Sequence, residues 1–359
     1  LLVCIWCSLL WFWRSTIYRC WQEPVLRRPV LVIESDDWGP GPDWHAERLA
    51  QLRQCLAQHR DVEGRPAVLT LGVVLGAPDT AAMAQNGLSE YRRITLDDLR
   101  CRRLLEQMQA GARDGVFALQ LHGMEHYWPP ALLCAARQDE SLRAWLTGDE
   151  FPPYEVLPSA LQSRWIDGSR LPSQPLAADE VQRAVVEETA TWQLIFGHPP
   201  KVVVPPTFVW TRDVETAWVA AGVEVIITPG RRSTHRDAAG HPAAEAGSIH
   251  KGQMVGKEAR YLVRDINFEP ERGHTAAETL EVAHQRFQLG RPALLETHRS
   301  IFIGTEAECQ RSLTRLDELL GSALQRWSAL AFLSPEALAR IYADRPGEWC
   351  ARGLGARLH

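Results

Sequence analysis

The sequence predicts an α/β fold with a parallel sheet, most economically a single β/α barrel over residues 27–342. Short apolar, β-rich runs alternate with longer stretches of helical spacing from Pro29 onward, which is the pattern of parallel α/β folds. The length of 359 residues also suits one barrel. Because the order of strands in a sheet cannot be read from sequence, a doubly wound open sheet is the alternative.

The first part of the barrel region contains three predicted strands and two predicted helices. The strands are apolar runs, as expected for parallel strands that are buried on both faces. Thr95, which precedes Asp97 and Asp98, is predicted to cap the second helix. In chain order the elements are a strand at 30–33, a helix at 44–59, a strand at 67–75, a helix at 95–112 and a strand at 116–121.

Residues 127–176 interrupt this alternation. They are rich in Pro, Trp and Ser, which predicts a long insertion with some helix around residues 130–145. Residues 230–258 are predicted to form a loop or a short hairpin. The other elements are helices at 178–196, 212–221, 275–289 and 306–327, strands at 201–204, 223–228, 261–266, 293–297 and 331–333, and a final helix that begins at Ser334 and Pro335.

Composition narrows the class of partner and the compartment. The formal charge of -5 argues against nucleic acid as the main partner, because phosphate binding relies on concentrated Lys and Arg. The eight cysteines are scattered, without the paired clusters of a zinc ribbon or the density of a disulfide scaffold. They favour reduced thiols and therefore a cytoplasmic location, unless the apolar N-terminal segment is a genuine anchor or signal, so the location is left open.

The two ends of the chain are predicted to lie outside the barrel region, which we set at residues 27–345. Residues 1–26 begin with an apolar run that is shorter than the roughly 20 residues needed to span a bilayer. The tail of a membrane anchor, a damaged signal and translation upstream of the true start are the open interpretations, and membrane contact is expected only for a genuine anchor. Residues 346–359 are predicted to be a C-terminal tail.

Acidic and imidazole side chains directly follow three of the predicted strands. Asp36 and Asp37 come after the first strand, His122 after the third and His298 after the strand at 293–297. In a parallel barrel the carboxyl ends of all strands open on the same face, where active sites lie. We therefore expect these side chains to meet at one rim.

His122 and His126 lie four residues apart. On a helical turn this spacing puts both imidazoles on one face, close enough to share an ion. Two imidazoles and one carboxylate are a frequent ligand set for zinc and related ions. The spacing alone is weak support, but its position after an apolar strand favours a metal site.

Asp36 and Asp37 are adjacent at the end of a wholly apolar strand. Their side chains are expected to point in different directions, so that one can bind a metal while the other accepts a proton from attacking water. The alternative is a solvated acidic turn. Two acids after a buried strand are costly without partners, so we favour a functional pair.

Three motifs resemble those of the polysaccharide deacetylase superfamily, the nodulation-factor deacetylase homology group of carbohydrate esterases. They keep the family's order, and the resemblance covers roughly residues 29–335. The family's first motif is T-F-D-D-G. The matching stretch of this chain keeps both acids, has Ser35 in place of Phe, and has Trp38 inserted before Gly39. The matching stretches are Ser35-Asp36-Asp37-Trp38-Gly39, the H-x-x-x-H of His122 and His126, and the L-x-x-H that ends at His298.

This resemblance implies a distorted (β/α)7-type barrel and a set of roles. Asp36 would be the general base and His298 the general acid. Asp37, His122 and His126 would bind a divalent metal, with zinc favoured. An uncharacterised (de)acetylase-like branch with S-D-D-W-G and P-P-x-F-x-W stretches is also similar to this sequence.

One motif departs from the family pattern. The R-P-P-(F/Y) stretch, whose Arg orients the base, corresponds best to residues 204–208, where Val204 stands in place of Arg. Either another Arg takes this role, with Arg231, Arg264 and Arg299 as candidates, or the base is tuned differently. The family also has an Asp that orients the catalytic His, and Asp265 is the candidate for that role.

The resulting hypothesis is a metal-dependent hydrolase that removes an acyl group, most simply acetyl, from an N- or O-acetylated carbohydrate. The predicted substrate contacts are Trp38, Phe208, Trp210 and Arg299, since aromatic faces can stack on sugar rings. Glycoside cleavage would need a second carboxylate across the bond, and none is evident in the sequence. A metal-dependent C–N hydrolase of a small molecule and a carbohydrate-binding pseudoenzyme are the alternatives.

Overall fold

Parallel strands alternate with helices along the chain, as the sequence predicts. The computed structural model describes residues 2–353 and 355. The helices are α1 (Leu2–Phe12), α2 (Arg14–Gln22), α3 (Trp44–Gln58), α4 (Thr80–Gln85), α5 (Arg102–Arg113), α6 (Pro129–Ala136), α7 (Glu140–Thr147), α8 (Ala178–Phe196), α9 (Arg212–Ala220), α10 (Ala276–Gln288), α11 (Glu306–Arg326) and α12 (Pro335–Asp344). The strands are β1 (Val25–Leu26), β2 (Val30–Trp38), β3 (Leu69–Val73), β4 (Gly76–Pro78), β5 (Arg93–Thr95), β6 (Phe117–Leu121), β7 (Ile166–Asp167), β8 (Gln174–Pro175), β9 (Val202–Val203), β10 (Val225–Thr228), β11 (Ser233–Arg236), β12 (Pro242–Ala244), β13 (Met254–Val255), β14 (Ala259–Val263), β15 (Ile266–Asn267), β16 (Ala293–His298), β17 (Ala331–Phe332) and β18 (Cys350–Ala351).

One strongly curled, mostly parallel sheet contains ten of the strands in the described part of the chain. Its order is β13-β14-β10-β9-β6-β3-β2-β16-β15, and β17 pairs with the beginning of β2. From β2 to β14, each parallel strand lies beside the next one along the chain. In a doubly wound sheet the strand order instead reverses at a switch point. The barrel prediction is therefore confirmed over the open sheet.

The two ends of this sheet belong to one stretch of chain. β14 lies towards one end, and β15 at the other end follows it after only Arg264 and Asp265. The chain therefore crosses between the two ends of the sheet at this point. The crossing closes a distorted barrel without a regular ladder of hydrogen bonds between its first and last strands.

Side chains along β2 alternate between the barrel interior and the helical layer. Val30 and Val32 pack in the smaller apolar cluster, with the strand residues of the barrel interior, and Leu31 and Ile33 in the larger one. Glu34 continues the row of Val30 and Val32 and is fully buried. The interior thus changes from apolar to charged towards the carboxyl ends of the strands.

Several predicted bounds differ from the observed ones. β2 continues to Trp38, so Asp36 and Asp37 lie inside the strand and not after it. The helix predicted at 95–112 begins only at Arg102, because Thr95 ends β5 and the Asp98 side chain caps the turn that follows by accepting from the Arg100 amide. The strand predicted at 261–266 is divided into β14 and β15.

The segments outside the regular alternation are also ordered into elements. Residues 127–176 contain α6, α7 and the β7–β8 hairpin, and residues 230–258 contain the β11–β12 hairpin. β18 pairs with β1, so part of the predicted C-terminal tail packs on the chain; residues 354 and 356–359 of that tail lie outside the described residues, as does Leu1. Among the helices in residues 2–353, none has the length and apolar character needed to cross a membrane.

Candidate metal centre and active site

A β-bulge in β2 brings Asp36 and Asp37 to the same cavity. From Ser35 to Trp38, β2 contains one residue more than the facing stretch of β3 from Leu71 to Val73. Asp37 has a φ of 77°, a conformation that costs a non-glycine residue about 1–3 kcal/mol. In a regular strand the two neighbours would face opposite sides of the sheet. The bulge instead lets both carboxylates serve one site while they contact different partners.

Gly72 on β3 leaves the space that Asp36 occupies. A Cβ at this position would lie 2.3 Å from Oδ1 of Asp36 and 3.1 Å from its Cα. The side chain of any other residue would therefore displace the Asp36 carboxylate.

Asp37, His122 and His126 converge as the sequence predicts. Oδ1 of Asp37 lies 3.2 Å from Nε2 of His122 and 3.4 Å from Nε2 of His126. Two atoms that bind one tetrahedral zinc ion at about 2.0–2.1 Å would lie about 3.3–3.4 Å apart. All three residues are buried, and their donor atoms are the types that zinc prefers. This buried group could therefore hold a divalent metal.

The stretch from His122 to His126 is not the helical turn that the spacing suggested. It is an irregular loop in which Gly123 has a φ of 96°. The carbonyls of Gly123 and Met124 accept hydrogen bonds from the amides of Leu75 and Gly76 at 3.1 and 2.6 Å, which fixes the loop on the segment after β3. The two imidazoles meet because of this backbone path, and their ring centroids are 5.0 Å apart.

Val204 orients His122 through its backbone. Nδ1 of His122 lies 2.9 Å from the Val204 carbonyl oxygen, which can only accept, so Nδ1 carries the proton. Nε2 is then free to bind a metal, which is the usual arrangement of a histidine ligand. The residue that replaces the family Arg thus contributes a carbonyl group to the site.

The protonation states of Asp37 and His126 suit a metal. Burial alone would raise the pKa of Asp37, but the hydrogen bond and charge of His122, with the charge of His126, hold that pKa well below its usual range. Burial lowers the pKa of His126 to about 4. Asp37 is therefore ionised and His126 neutral at physiological pH, as metal binding requires. Burial would lower the pKa of His122, but the charges of Asp36 and Asp37 raise it, so a metal that binds His122 must displace a proton from Nε2.

Arg264 orients Asp36 through two hydrogen bonds. The resemblance predicts an Arg in this role, but from the segment where this chain has Val204. Nη1 and Nη2 of Arg264 donate to Oδ2 and Oδ1 of Asp36 at 2.5 and 2.8 Å, and Nη2 also donates to Glu34 at 3.0 Å. Burial would raise the pKa of Asp36, but the Arg264 charge brings it below its usual value. The other candidates do not take this role, because Arg299 pairs with Glu155 and Arg231 is exposed.

Glu269, and not Asp265, orients His298. Nδ1 of His298 lies 2.5 Å from Oε1 of Glu269. Burial lowers the pKa of His298, but the Glu269 hydrogen bond and the charges of Asp37 and Asp36 raise it to about 9. Asp265 instead binds Lys251, Arg286 and the amide of Leu294, which precedes His298 by four residues and thus by about 13 Å along β16. The predicted contact between Asp265 and His298 is therefore wrong.

The aromatic residues predicted to stack on a substrate are mostly core residues. Trp38 and Trp210 are fully buried, and their indole N–H groups donate to Ser35 and Glu215 at 2.9 and 2.7 Å. Phe208 is half-buried and lies under the Arg264 guanidinium, 5.8 Å from it. The prediction that Trp38 and Trp210 offer free faces to a sugar ring is wrong.

Three supporting residues were missed in the sequence. Glu34 could have been found, because it is two residues before Asp36 and so shares its face of the strand. Glu269 follows β15, and its contact with His298 depends on the pairing of β15 with β16. Tyr154 lies in the insertion, where no pattern marks it. Glu125, next to the ligand His126, accepts a hydrogen bond from Arg164. An oxygen of Glu296 lies 3.8 Å from Nε2 of His298.

Among the residues that the structure describes, two other groups of potential ligands fit a metal less well. His59 and Asp317, which lie near Cys55, are only 2.8 Å apart, which is a hydrogen-bonded ion pair and not the separation of two ligands. Asp36, Glu296 and His298 form the other group, but the Arg264 cation pairs with Asp36 and lies 3.6 Å from Glu296, so a second cation there would be repelled.

Comparisons with known proteins find similar structures but no similar sequence. No protein-family model and no curated protein matches the sequence. Over most of its length the chain is similar in structure, at low identity, to family 4 polysaccharide deacetylases and esterases. A family 4 carbohydrate esterase from Streptomyces lividans in complex with acetate has a TM-score of 0.37 and 12% identity, with 85% of this chain and 92% of that chain covered.

Two further solved structures have similar folds. A family 4 acetyl xylan esterase from Clostridium thermocellum in complex with a cobalt ion has a TM-score of 0.39 and 10% identity, with 89% and 92% of the two chains covered. The 4-alpha-glucanotransferase from Thermococcus litoralis has a TM-score of 0.45 and 9% identity over 89% of this chain. The match spans only 38% of the glucanotransferase chain.

Proposed function

We propose that the protein is a metal-dependent hydrolase that removes an acetyl or other acyl group from an N- or O-acetylated carbohydrate. The main support is the convergence of Asp37, His122 and His126 with a buried carboxylate, Asp36, and a protonated imidazole, His298. The donor set and its spacing fit a divalent ion, with zinc favoured. When bound, this ion supplies Lewis acidity, which activates water and polarises an acyl oxygen.

In this proposal Asp36 acts as the general base. Its carboxylate is held by two hydrogen bonds from Arg264, which leaves lone pairs free to accept a proton from the attacking water. Because its pKa lies below the usual value, Asp36 is ionised at neutral pH and can accept a proton.

His298 donates a proton to the leaving amine or alcohol. Glu269 holds Nδ1, so that Nε2 carries the proton to be transferred. With its pKa raised to about 9, His298 is charged at neutral pH. A base that starts ionised and an acid that starts protonated are the pair that acyl transfer requires.

A small-molecule C–N hydrolase is the second candidate, and one observation favours it. Trp38 and Trp210, the expected platforms for a sugar chain, are buried. Asp36, Asp37, His122 and His126 are also all buried, which favours a small substrate or the end of a chain over the middle of a polymer.

Metal analysis combined with hydrolysis assays tests the proposal. We expect about one divalent ion per chain, and release of acetate from chitooligosaccharides, acetylated xylan or a small N-acyl compound. Asp37→Ala and His122→Ala should lose both metal and activity. His59→Ala, which breaks a similar imidazole–carboxylate pair outside the site, should keep both. Activity that survives Asp37→Ala unchanged, or bound metal without turnover of any acylated substrate, would contradict the proposal.

A further inference from the structure

The turn from Tyr154 to Val156, within the insertion at 127–176, packs directly against the candidate metal centre. Tyr154 is buried, and its hydroxyl donates a hydrogen bond to the backbone carbonyl of Asp37 at 3.0 Å. Asp37 is the residue whose backbone has the unfavourable φ of 77°. The hydroxyl of Tyr154 therefore supports the bulge conformation that aims the Asp37 carboxylate.

The ring of Tyr154 also contacts a second candidate ligand. It stacks on the His126 imidazole with ring centroids 4.7 Å apart and an angle of 9° between the planes. His122 is oriented by its hydrogen bond to the Val204 carbonyl. His126 has the parallel face of Tyr154 beside it instead, and this contact sets the plane of its ring.

Tyr154 is itself fixed to the end of β16. The Arg299 guanidinium lies 4.9 Å from the centre of the Tyr154 ring, and Nε of Arg299 donates to Glu155 at 3.1 Å. Arg299 directly follows His298, the candidate acid. The turn therefore connects the candidate metal ligands to the strand that carries His298.

The same insertion reaches the remaining segments of the site a few residues later. The Ser163 hydroxyl lies 2.5 Å from that of Thr207, whose φ is 54°, and Arg164 donates to Glu125 at 2.6 Å. Residues 154–164 thus contact β2 at Asp37, the loop that contains His126, the segment of Thr207 and the end of β16 at Arg299. Ordinary core packing would need an apolar side chain at 154, but not a hydroxyl aimed at a strained carbonyl or a ring parallel to His126.

We propose that Tyr154 is a positioning residue that sets the geometry of Asp37 and His126 for metal binding. The inference rests on the proposed function only in that these residues and His122 bind a metal. Through Tyr154, the insertion at 127–176 would help to assemble the metal site.

Cobalt binding to the full chain tests this inference without any substrate. Apoprotein is titrated with Co²⁺ while its visible d–d absorption is recorded, and zinc affinity is measured by competition with a chromophoric chelator. Supporting residues around a metal typically contribute 10–100-fold to affinity. We expect Tyr154→Phe, which keeps the ring, to weaken binding by about 10-fold, and Tyr154→Leu by about 100-fold with an altered cobalt spectrum.

Tyr261→Phe is the matched control. It also removes the hydroxyl of a buried tyrosine, which donates to Glu215 away from the metal centre, and should leave the cobalt affinity and spectrum unchanged. Thermal unfolding of each apoprotein separates folding from metal geometry, and Tyr154→Phe keeps the test valid if Tyr154→Leu does not fold.

The outcomes separate this inference from the proposed function. If the wild-type protein does not bind Co²⁺, the metal site and its positioning are both overturned. If wild type binds Co²⁺ and both Tyr154 variants bind it with the same affinity and spectrum, only the positioning role is overturned, even where their apoproteins melt at lower temperature.

Discussion

At the scale of single residues, the site depends on which group holds each reactive side chain. Arg264 holds Asp36, Glu269 holds His298, and the Val204 carbonyl holds His122. Val204 replaces an Arg of the family pattern, and an Arg from a later segment reaches the same carboxylate. The missing Arg is thus no reason to favour a pseudoenzyme, because the contact exists with a different donor.

The pair of Glu269 and His298 predicts how activity depends on pH. A general acid works while it is protonated, so activity should fall as pH rises through the pKa of His298, which is about 9. A divalent ion nearby would repel the imidazolium, so this fall is expected at or below that pH. Glu269→Gln removes the negative partner, lowers the pKa of His298 and should move the alkaline fall of kcat/KM to lower pH.

Glu271→Gln, which changes an exposed carboxylate two residues away, is the control and should leave the pH profile in place. An unshifted alkaline fall in Glu269→Gln would show that His298 is not the acid that limits the rate.

At the scale of elements, one extra residue in β2 and one glycine in β3 determine the direction of the two acids. Gly72→Ala would place a methyl group 2.3 Å from Oδ1 of Asp36 and force that carboxylate to move. Because general bases contribute about 10²–10⁴-fold, we expect kcat/KM to fall by about 100-fold or more. Asp37 faces His122 and His126 instead, so metal content should be unchanged.

Gly321→Ala on α11 is the control, because its new Cβ would meet only the His59 ring at 3.8 Å and alanine favours helix. Full activity in Gly72→Ala would mean that Asp36 is not the base.

Sequence patterns predict these elements better than they predict the contacts between them. Apolar runs indicate the strands of the barrel because burial on both faces requires them. The bulge at Asp37 depends on the register of β2 against β3, which no local pattern encodes. The loop from His122 to His126 is likewise fixed by bonds to Leu75 and Gly76 that are remote in sequence, so its helical interpretation failed.

At the scale of the whole molecule, Arg264 lies where the chain crosses between the ends of the curled sheet. It is buried and forms ion pairs with the buried carboxylates of Glu34 and Asp36. Removal of one partner from a buried ion pair typically costs about 3–5 kcal/mol. Arg264→Met, which keeps much of the side-chain volume, should lower the free energy of unfolding by about this amount in denaturant titrations.

Arg326→Met is the comparison for this loss. Arg326 pairs with Glu281 on the surface, and such pairs contribute about 1 kcal/mol or less. Equal effects of the two substitutions would mean that the charges around Arg264 are less buried than the structure indicates.

The crossing at Arg264 has a consequence for the order in which the candidate site assembles. Asp36 lies on β2, near the beginning of the barrel, and its partner Arg264 lies 228 residues later, in the connection between β14 and β15. A nascent or partly folded chain whose sheet has not yet curled shut therefore has acids but no guanidinium between them. Asp36 can pair with Arg264 only once the sheet has curled, so closure of the fold and assembly of this ion pair are one event.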